Sequence, residues 1–355
     1  MDFKKNGTDY IQSLINDAVA SGERTATVTG NLEIDSAVLI PSDFTLVLED
    51  CHLRMADGTF DNMFRNENCG DVLTETAGGS DKNIKVIGRG RAILDGGKYN
   101  GLSEKNARKD GRPCMYVNNL LLFVDVDGFE VSGIHCRNQR WWALDFIYCS
   151  NGVLKDLDFR SNDIAIDETG MPYCGLIKAK YNEVLVKNAD GIDLRHGCHH
   201  ITIENITGFC EDDSIALTTL IGKGPMAFHI EGRPLDICFV DIKNVRTASF
   251  CSNVRLLNQG GTKLHDITVD GVYDISAESE YMDVGGHGVR VGDGSHLYGL
   301  CHATEDETYN ITVKNVRSRA RDGAVHLGGR MKNVTIENIE AFDGSFEIED
   351  MREKD

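Results

Sequence analysis

The chain has 355 residues and a formal net charge of −19 at pH 7. A single compact core seldom grows beyond roughly 250–300 residues, so a chain of this length without a linker is better explained by stacked repeats, and we expect residues 1–355 to form one domain. The acidic balance argues against nucleic acid and anionic membranes as partners, because both would be repelled.

The first predicted element is a helix over residues 8–22. Ile11, Leu14, Ile15 and Ala18 follow helical spacing, and Gly22 stands where a helix would end. The end of a stack of strands exposes unpaired edges, so we expect this helix to cap the first coil. The residues before it lack the apolar core of a signal peptide. With eleven scattered cysteines and no C-x-x-C pair, this predicts reduced thiols and a cytoplasmic protein.

One short motif recurs after the helix: apolar, any residue, apolar, two mostly polar residues, apolar. Clear copies start at Phe129, Ile201, Ile267, Ile311 and Val334. Alternation of apolar residues predicts strands, and a repeat of roughly 20–30 residues predicts a solenoid. No helical return is seen between the copies. The chain is therefore predicted to be all-β, a parallel β-helix whose apolar motif positions form one continuous core.

A second set of short strands can be aligned between the motif copies. Their middle residues are Asp145, Asp193, Ala216, Arg255, Arg290 and His326. Since side chains alternate along a strand, we expect these residues to point outward to solvent. The column is richer in Asp, Arg and His than an ordinary solvated face. Apart from the alanine, its members are candidates for binding substrate.

Three carboxylates stand just before two of these strands. Asp190 precedes one strand, and Asp212 and Asp213 precede the next. Asp190 and Asp213 are 23 residues apart, which is one coil, and stacked strands lie about 4.8 Å apart. The three should therefore meet. Clustered carboxylates repel, so one must have a raised pKa, and the pair of acid and base that results is what glycoside hydrolysis needs.

These residues resemble a known family. The stretches Asn188–Asp193 and Asp212–Leu217 are similar to the paired motifs of glycoside hydrolase family 28, the polygalacturonases, and residues 86–97 are similar to its early turn. The resemblance implies a right-handed parallel β-helix. It also implies Asp212 as general acid, Asp190 and Asp213 as the groups that activate water for inversion, and Asn188 as a substrate-binding residue.

The chain departs from that family at two motifs. A Gly-His-Gly is expected one coil after the paired aspartates, but residues 219–240 contain a single histidine, His229, which becomes a further candidate for binding substrate. The family's Arg-x-Lys is represented by Arg255 and Leu257, so the lysine thought to contact the uronate carboxylate is missing. Galacturonate specificity is therefore in doubt, and we lean towards a neutral sugar.

Two further features receive weaker assignments. One of Trp141 and Trp142 is expected to pack in the core, and the other, Trp142 in our assignment, to stack on a sugar ring. The adjacent His199 and His200 would point to opposite faces of a strand, so we predict no metal site and no cofactor.

The leading prediction is thus an enzyme that hydrolyses a glycosidic bond in an oligo- or polysaccharide. A polysaccharide lyase or epimerase is an alternative, because parallel β-helices also host these activities, and a lyase would need a Lys, Arg or Tyr base and usually calcium. A carbohydrate-binding or tailspike-like module without catalysis is the other alternative.

Overall fold

Two long parallel sheets run along the molecule and share one apolar core. The computed structural model describes residues 2–97, 116–117, 119–139, 142–161, 189–219, 227–278, 284–292 and 303–353. The coils stack as a right-handed parallel β-helix, as predicted. No helix within these residues has the length and hydropathy needed to cross a bilayer.

The first sheet contains the long strands that carry the repeated motif. Its strands are β1 (Thr25–Ile34), β3 (Phe44–Met55), β7 (Asp81–Asp95), β9 (Val126–Ser132), β10 (His135–Arg137), β12 (Ser150–Arg160), β14 (His199–Cys210), β16 (Ile237–Ser249), β18 (Leu264–Asp274), β20 (Thr308–Ser318) and β22 (Lys332–Ala341).

The second sheet contains the shorter strands of each coil. These are β2 (Val38–Ile40), β4 (Phe64–Asn66), β8 (Leu121–Val124), β11 (Leu144–Ile147), β13 (Ile192–Leu194), β15 (Ile215–Thr219), β17 (Ser252–Asn258), β19 (His287–Val291), β21 (Val325–Gly329) and β23 (Ile348–Arg352). A small antiparallel pair, β5 (Gly70–Asp71) with β6 (Thr76–Ala77), and a 3₁₀ turn over Ser276–Glu278 lie outside the two sheets.

The motif positions stack coil on coil in the interior, as predicted. Ile201 of β14 pairs in register with Val240 of β16, and that residue pairs with Ile267 of β18. All three side chains are buried in one continuous apolar cluster. Val334 and Ile336 pack against the same cluster but are only partly buried, because β22 is the last strand of its sheet and no described strand stacks on its outer side.

Residues in the left-handed region of backbone space explain why the motif places two polar residues before its last apolar one. Asn205 has φ +57°, and Asn244, Gly271, Asn315 and Asn338 hold the same motif position with φ between +52° and +85°. A residue in this conformation interrupts the alternation, so the apolar residue after it faces the core again. Asn and Gly tolerate the conformation best.

The cap is the helix α1 (Gly7–Ser21), which buries Ile11, Ile15 and Ala18 against the first coil. Gly22 ends it with φ +84°, and its N–H bonds to the carbonyl of Val19. This agrees with the predicted capping helix.

Asn205→Ala is expected to destabilise the fold by about 1–2 kcal/mol, because alanine pays the left-handed backbone cost that asparagine largely avoids. The change also removes two side-chain contacts of the coil ladder, with Asp156 at 2.9 Å and Asn244 at 2.7 Å. Urea unfolding would measure the loss. Asn205→Gly should cost less and Glu204→Ala almost nothing. An equal cost for the alanine and glycine variants would contradict the conformational explanation.

Candidate functional site

The three predicted carboxylates meet at the start of two paired strands. β13 and β15 pair through Ile192 and Ile215, so the residues two positions earlier, Asp190 and Asp213, lie in adjacent coils. The backbone N–H of Asp213 donates to Oδ1 of Asp190 at 2.9 Å. One carboxyl oxygen from each of these residues and from Asp212 lies within 4.8 Å of the others. The spacing of one coil therefore places the three groups as the sequence predicts.

Burial and mutual repulsion raise the pKa of two of these carboxyl groups. Asp190 and Asp213 are 5% and 2% exposed, whereas Asp212 is partly exposed. Burial, reinforced by the charge of Asp213, raises the pKa of Asp212 to about 7. Burial and then the charges of Asp193, Asp212 and Asp213 raise the pKa of Asp190 well above its usual range. Asp212 is thus the accessible carboxyl and keeps its proton up to neutral pH.

Asp213 contacts a positively charged side chain. Nη1 of Arg255, which is in the next coil on β17, lies 3.3 Å from Oδ2 of Asp213. A buried carboxyl group that contacts a guanidinium is charge-paired rather than isolated. The cluster therefore combines an acid that is protonated near neutral pH with a charge-paired carboxylate, which suits a general acid and a general base.

If Asp212 is the general acid, hydrolysis is expected to fall as the pH rises through about 7, because Asp212 then loses the proton that the acid must donate. The slope should approach a tenfold loss of kcat/KM per pH unit on the alkaline side. A pH profile of kcat/KM measures this in the free enzyme. A profile that stays flat to two units above that pKa would exclude Asp212 as the acid.

The predicted outward column exists, but most of it is buried. Asp145, Asp193, Ala216, Arg255, Arg290 and His326 pair one after another in register through six successive coils. Asp145 and Asp193 are 0% exposed, and Arg255 and His326 are below 10%. The expectation that the column faces solvent was wrong, because other side chains cover its outer surface. Arg290 is half-buried.

Arg195 covers the first part of the column, and sequence reasoning missed it. Its Nη2 lies 2.9 Å from Oδ1 of Asp193, and its Nε lies 3.9 Å from Oδ1 of Asp145. The guanidinium also stacks over the Trp142 ring, 3.7 Å from its centroid. Arg195 is two residues after Asp193, so strand alternation could have placed the two on one face.

The contacts of Arg195 bear on the substrate-binding roles that were predicted for Asp145, Asp193 and Trp142. Burial raises the pKa of Asp193 well above its usual range and that of Asp145 to about 7, although Arg195 opposes both shifts. Neither carboxyl is exposed for a sugar hydroxyl, so their assignment as substrate ligands finds no support. Trp142 is 6% exposed beneath Arg195 and belongs to the apolar cluster outside the second sheet, where it packs with Tyr116, so it offers no open face for stacking on a sugar.

One further candidate lies apart from the carboxylate cluster, and two other residues named from the sequence fall outside the described part of the chain. His229 is exposed, and its Nδ1 lies 3.4 Å from the Tyr148 hydroxyl beyond the end of β11, away from the contacts of the carboxylate cluster. Asn188 and Trp141 are outside the described residues. His199 and His200 do not point to opposite faces as expected. His200 has φ +55°, which breaks the alternation and brings the two Nδ1 atoms to 3.0 Å.

Comparison with known proteins identifies the class of molecule. The family model for glycosyl hydrolases family 28 matches residues 49–226, about half of the chain, and the chain belongs to this family. It is therefore a glycoside hydrolase, which cleaves O-glycosyl bonds. No curated protein sequence matches the chain.

Solved structures show the same fold at low sequence identity. An iota-carrageenase complexed to iota-carrageenan fragments has a TM-score of 0.61 at 11% identity, with 98% of this chain and 89% of that chain covered. An iota-carrageenase of family GH82 from A. fortis has a TM-score of 0.60 at 10% identity, with 98% and 87% covered. A tailspike protein of E. coli bacteriophage HK620, in complex with a pentasaccharide, has a TM-score of 0.51 at 12% identity, with 98% and 64% covered.

Proposed function

We propose that the enzyme hydrolyses its glycosidic bond at Asp190, Asp212 and Asp213, with inversion at the anomeric carbon. The observation that carries the proposal is the meeting of three carboxyl groups within 4.8 Å, one with a pKa of about 7 and another paired with Arg255. Acid and base are then both available near neutral pH.

The reaction needs two proton transfers and one bond exchange. Asp212 gives its proton to the glycosidic oxygen as the bond to the anomeric carbon breaks. A water attacks that carbon, and its proton passes to Asp213. Asp190, which accepts the N–H of Asp213 at 2.9 Å, fixes the relative position of the two coils and orients the water. Arg255 holds Asp213 ready as the base.

The stereochemical outcome can be tested directly. Three carboxyls allow two of them to hold a water while the third acts as acid, which favours inversion. Inverting pairs usually stand roughly 6.5–9.5 Å apart and retaining pairs about 5–5.5 Å. The carboxyl oxygens here lie within 4.8 Å of one another, so their separation does not by itself predict inversion, and the configuration of the product must be measured. Proton NMR during the first turnovers should show product of the opposite anomeric configuration. Product of retained configuration would overturn inversion and make one carboxylate a nucleophile.

For the substrate, we propose a neutral sugar at the unit next to the scissile bond. Support comes from Arg255, whose guanidinium faces Asp213, and from Leu257, which is buried where the family has lysine. Hydrolysis of an oligogalacturonide should be compared with that of its neutral galactose or rhamnose counterpart. A strong preference for the oligogalacturonide that is lost in Arg290→Ala would overturn the proposal and point to pectin as the substrate.

One observation keeps a lyase as the second candidate. The three aspartates that form the proposed acid–base site could equally bind calcium through their oxygens. A lyase would release an unsaturated, ultraviolet-absorbing product and would stop when EGTA removes calcium. Hydrolysis predicts a saturated product and no effect of EGTA.

A further inference from the structure

Three side chains at the far end of the second sheet form a cluster that the mechanism does not use. His287 is on β19, His326 on β21 and Glu349 on β23, in three consecutive coils. His326 and Glu349 are direct partners in the strand register. One possible ligand atom from each residue lies within 4.8 Å of the others.

The contacts within the cluster fix the state of His326. Its Nδ1 lies 2.5 Å from Oε2 of Glu349, and an ionised carboxylate can only accept, so Nδ1 carries the proton. In the neutral ring, Nε2 is then left with a lone pair. His326 is 9% exposed, and its Nε2 is buried without a hydrogen-bond partner among the described residues. A buried acceptor without a donor is costly and calls for a ligand.

His287 supplies a second imidazole beside the first. The two ring centroids are 5.0 Å apart at an interplanar angle of 68°. His287 is partly buried on β19, and one of its ring nitrogens lies within 4.8 Å of a ligand atom of His326 and of Glu349. A histidine held through Nδ1–H by a carboxylate, with Nε2 available, is the usual second-sphere arrangement of metal-binding histidines.

We propose that His287 and His326, supported by Glu349, bind a divalent transition-metal ion of the zinc class. Imidazole nitrogens suit zinc, whereas calcium and magnesium prefer oxygen ligands alone. Arg290 is the register neighbour of His326 on β19, and its positive charge opposes any cation. The affinity should therefore be weaker than that of closed structural zinc sites with four protein ligands.

The position of the cluster suggests what the ion would do. β22 and β23 form the last coil, and side chains there are unusually open: Ile348 is 43% exposed and Met351 is 61% exposed. An ion held by β19, β21 and β23 would link this coil to the two before it. Binding should therefore stabilise the end of the solenoid without taking part in hydrolysis.

The experiment uses the full chain without an affinity tag, stripped of metal with EDTA and dialysed. Titration with ZnCl₂ by calorimetry should show one bound ion per chain, and saturating zinc should raise the Tm by roughly 5 °C. His326→Ala should abolish both effects, and Glu349→Gln should weaken binding by about 10–100-fold, as expected for a second-sphere carboxylate. CaCl₂ should produce neither effect at this cluster.

His265→Ala is the matched control, because His265 also pairs through Nδ1 with a carboxylate, Asp266, at 2.6 Å on the first sheet. It should bind zinc like the wild type. Zinc binding that persists in His326→Ala but disappears in His200→Ala would place the ion at the adjacent histidines of β14 and overturn the proposal. Absence of binding to the wild type would overturn it as well. If His326→Ala fails to fold, the Glu349→Gln titration decides the question.

Discussion

Asp212→Asn is expected to lower kcat on an unactivated oligosaccharide by about 10²–10⁴-fold, the usual contribution of a general acid. Asparagine has the shape of the protonated acid but cannot give up a proton. Because Asp212 is partly exposed and its pKa is raised to about 7, the protein already tolerates a neutral group there. The Tm should therefore stay close to that of the wild type, and steady-state kinetics with thermal unfolding would measure both quantities.

Asp241→Asn is the matched control, since Asp241 is an exposed aspartate on β16. It should change neither kcat nor Tm. Asp190→Asn and Asp213→Asn should also be severe, because each change leaves the attacking water poorly held. Wild-type turnover in all three site variants would show that the active site lies elsewhere.

Arg195→Met is expected to destabilise the fold by about 3–5 kcal/mol, the usual cost of removing one partner from a buried ion pair. Asp193 and Asp145 would be left in the interior with no guanidinium at 2.9 Å and 3.9 Å. The stacking of the guanidinium on the Trp142 ring would also be lost. Urea unfolding at pH 8 would measure the loss, and Arg160→Met, at an exposed arginine of β12, should cost little.

The loss of stability caused by Arg195→Met should depend on pH in a defined direction. The folded-state pKa values of Asp145 and Asp193 lie above those of the unfolded chain, so the folded state binds more protons in the interval between them. Stability is therefore lost as the pH rises through the folded-state values. The penalty of Arg195→Met should be smaller at pH 5 than at pH 8, and Asp193→Asn in the same chain should recover part of it. An equal penalty at both pH values would mean that packing, not charge, is responsible.

The coils and their register could be predicted from the sequence, whereas the burial of the second strand column could not. The motif starting at Ile201 predicted inward positions correctly, because alternation along a strand is a local property. The step of 23 residues between Asp190 and Asp213 predicted their contact, because parallel coils convert sequence spacing into stacking.

Burial of the second column could not be predicted in the same way. Whether Asp145 and Asp193 meet solvent depends on which side chains of the surrounding chain lie over them, and that is a long-range property. Strand alternation alone could have placed Arg195 on the same face as Asp193, but it could not predict that Arg195 stacks on Trp142. His200 shows the limit of the alternation rule itself, since one residue with a positive φ brought two adjacent rings to the same side.

Asp212 is proposed to protonate the leaving group. The most direct measurement compares wild type and Asp212→Asn on an activated aryl glycoside, whose leaving group needs no proton, and on the matching unactivated oligosaccharide. We predict a loss of about 10²–10⁴-fold on the oligosaccharide and a much smaller loss on the activated glycoside. Equal losses on both substrates would contradict the assignment of Asp212 as the general acid.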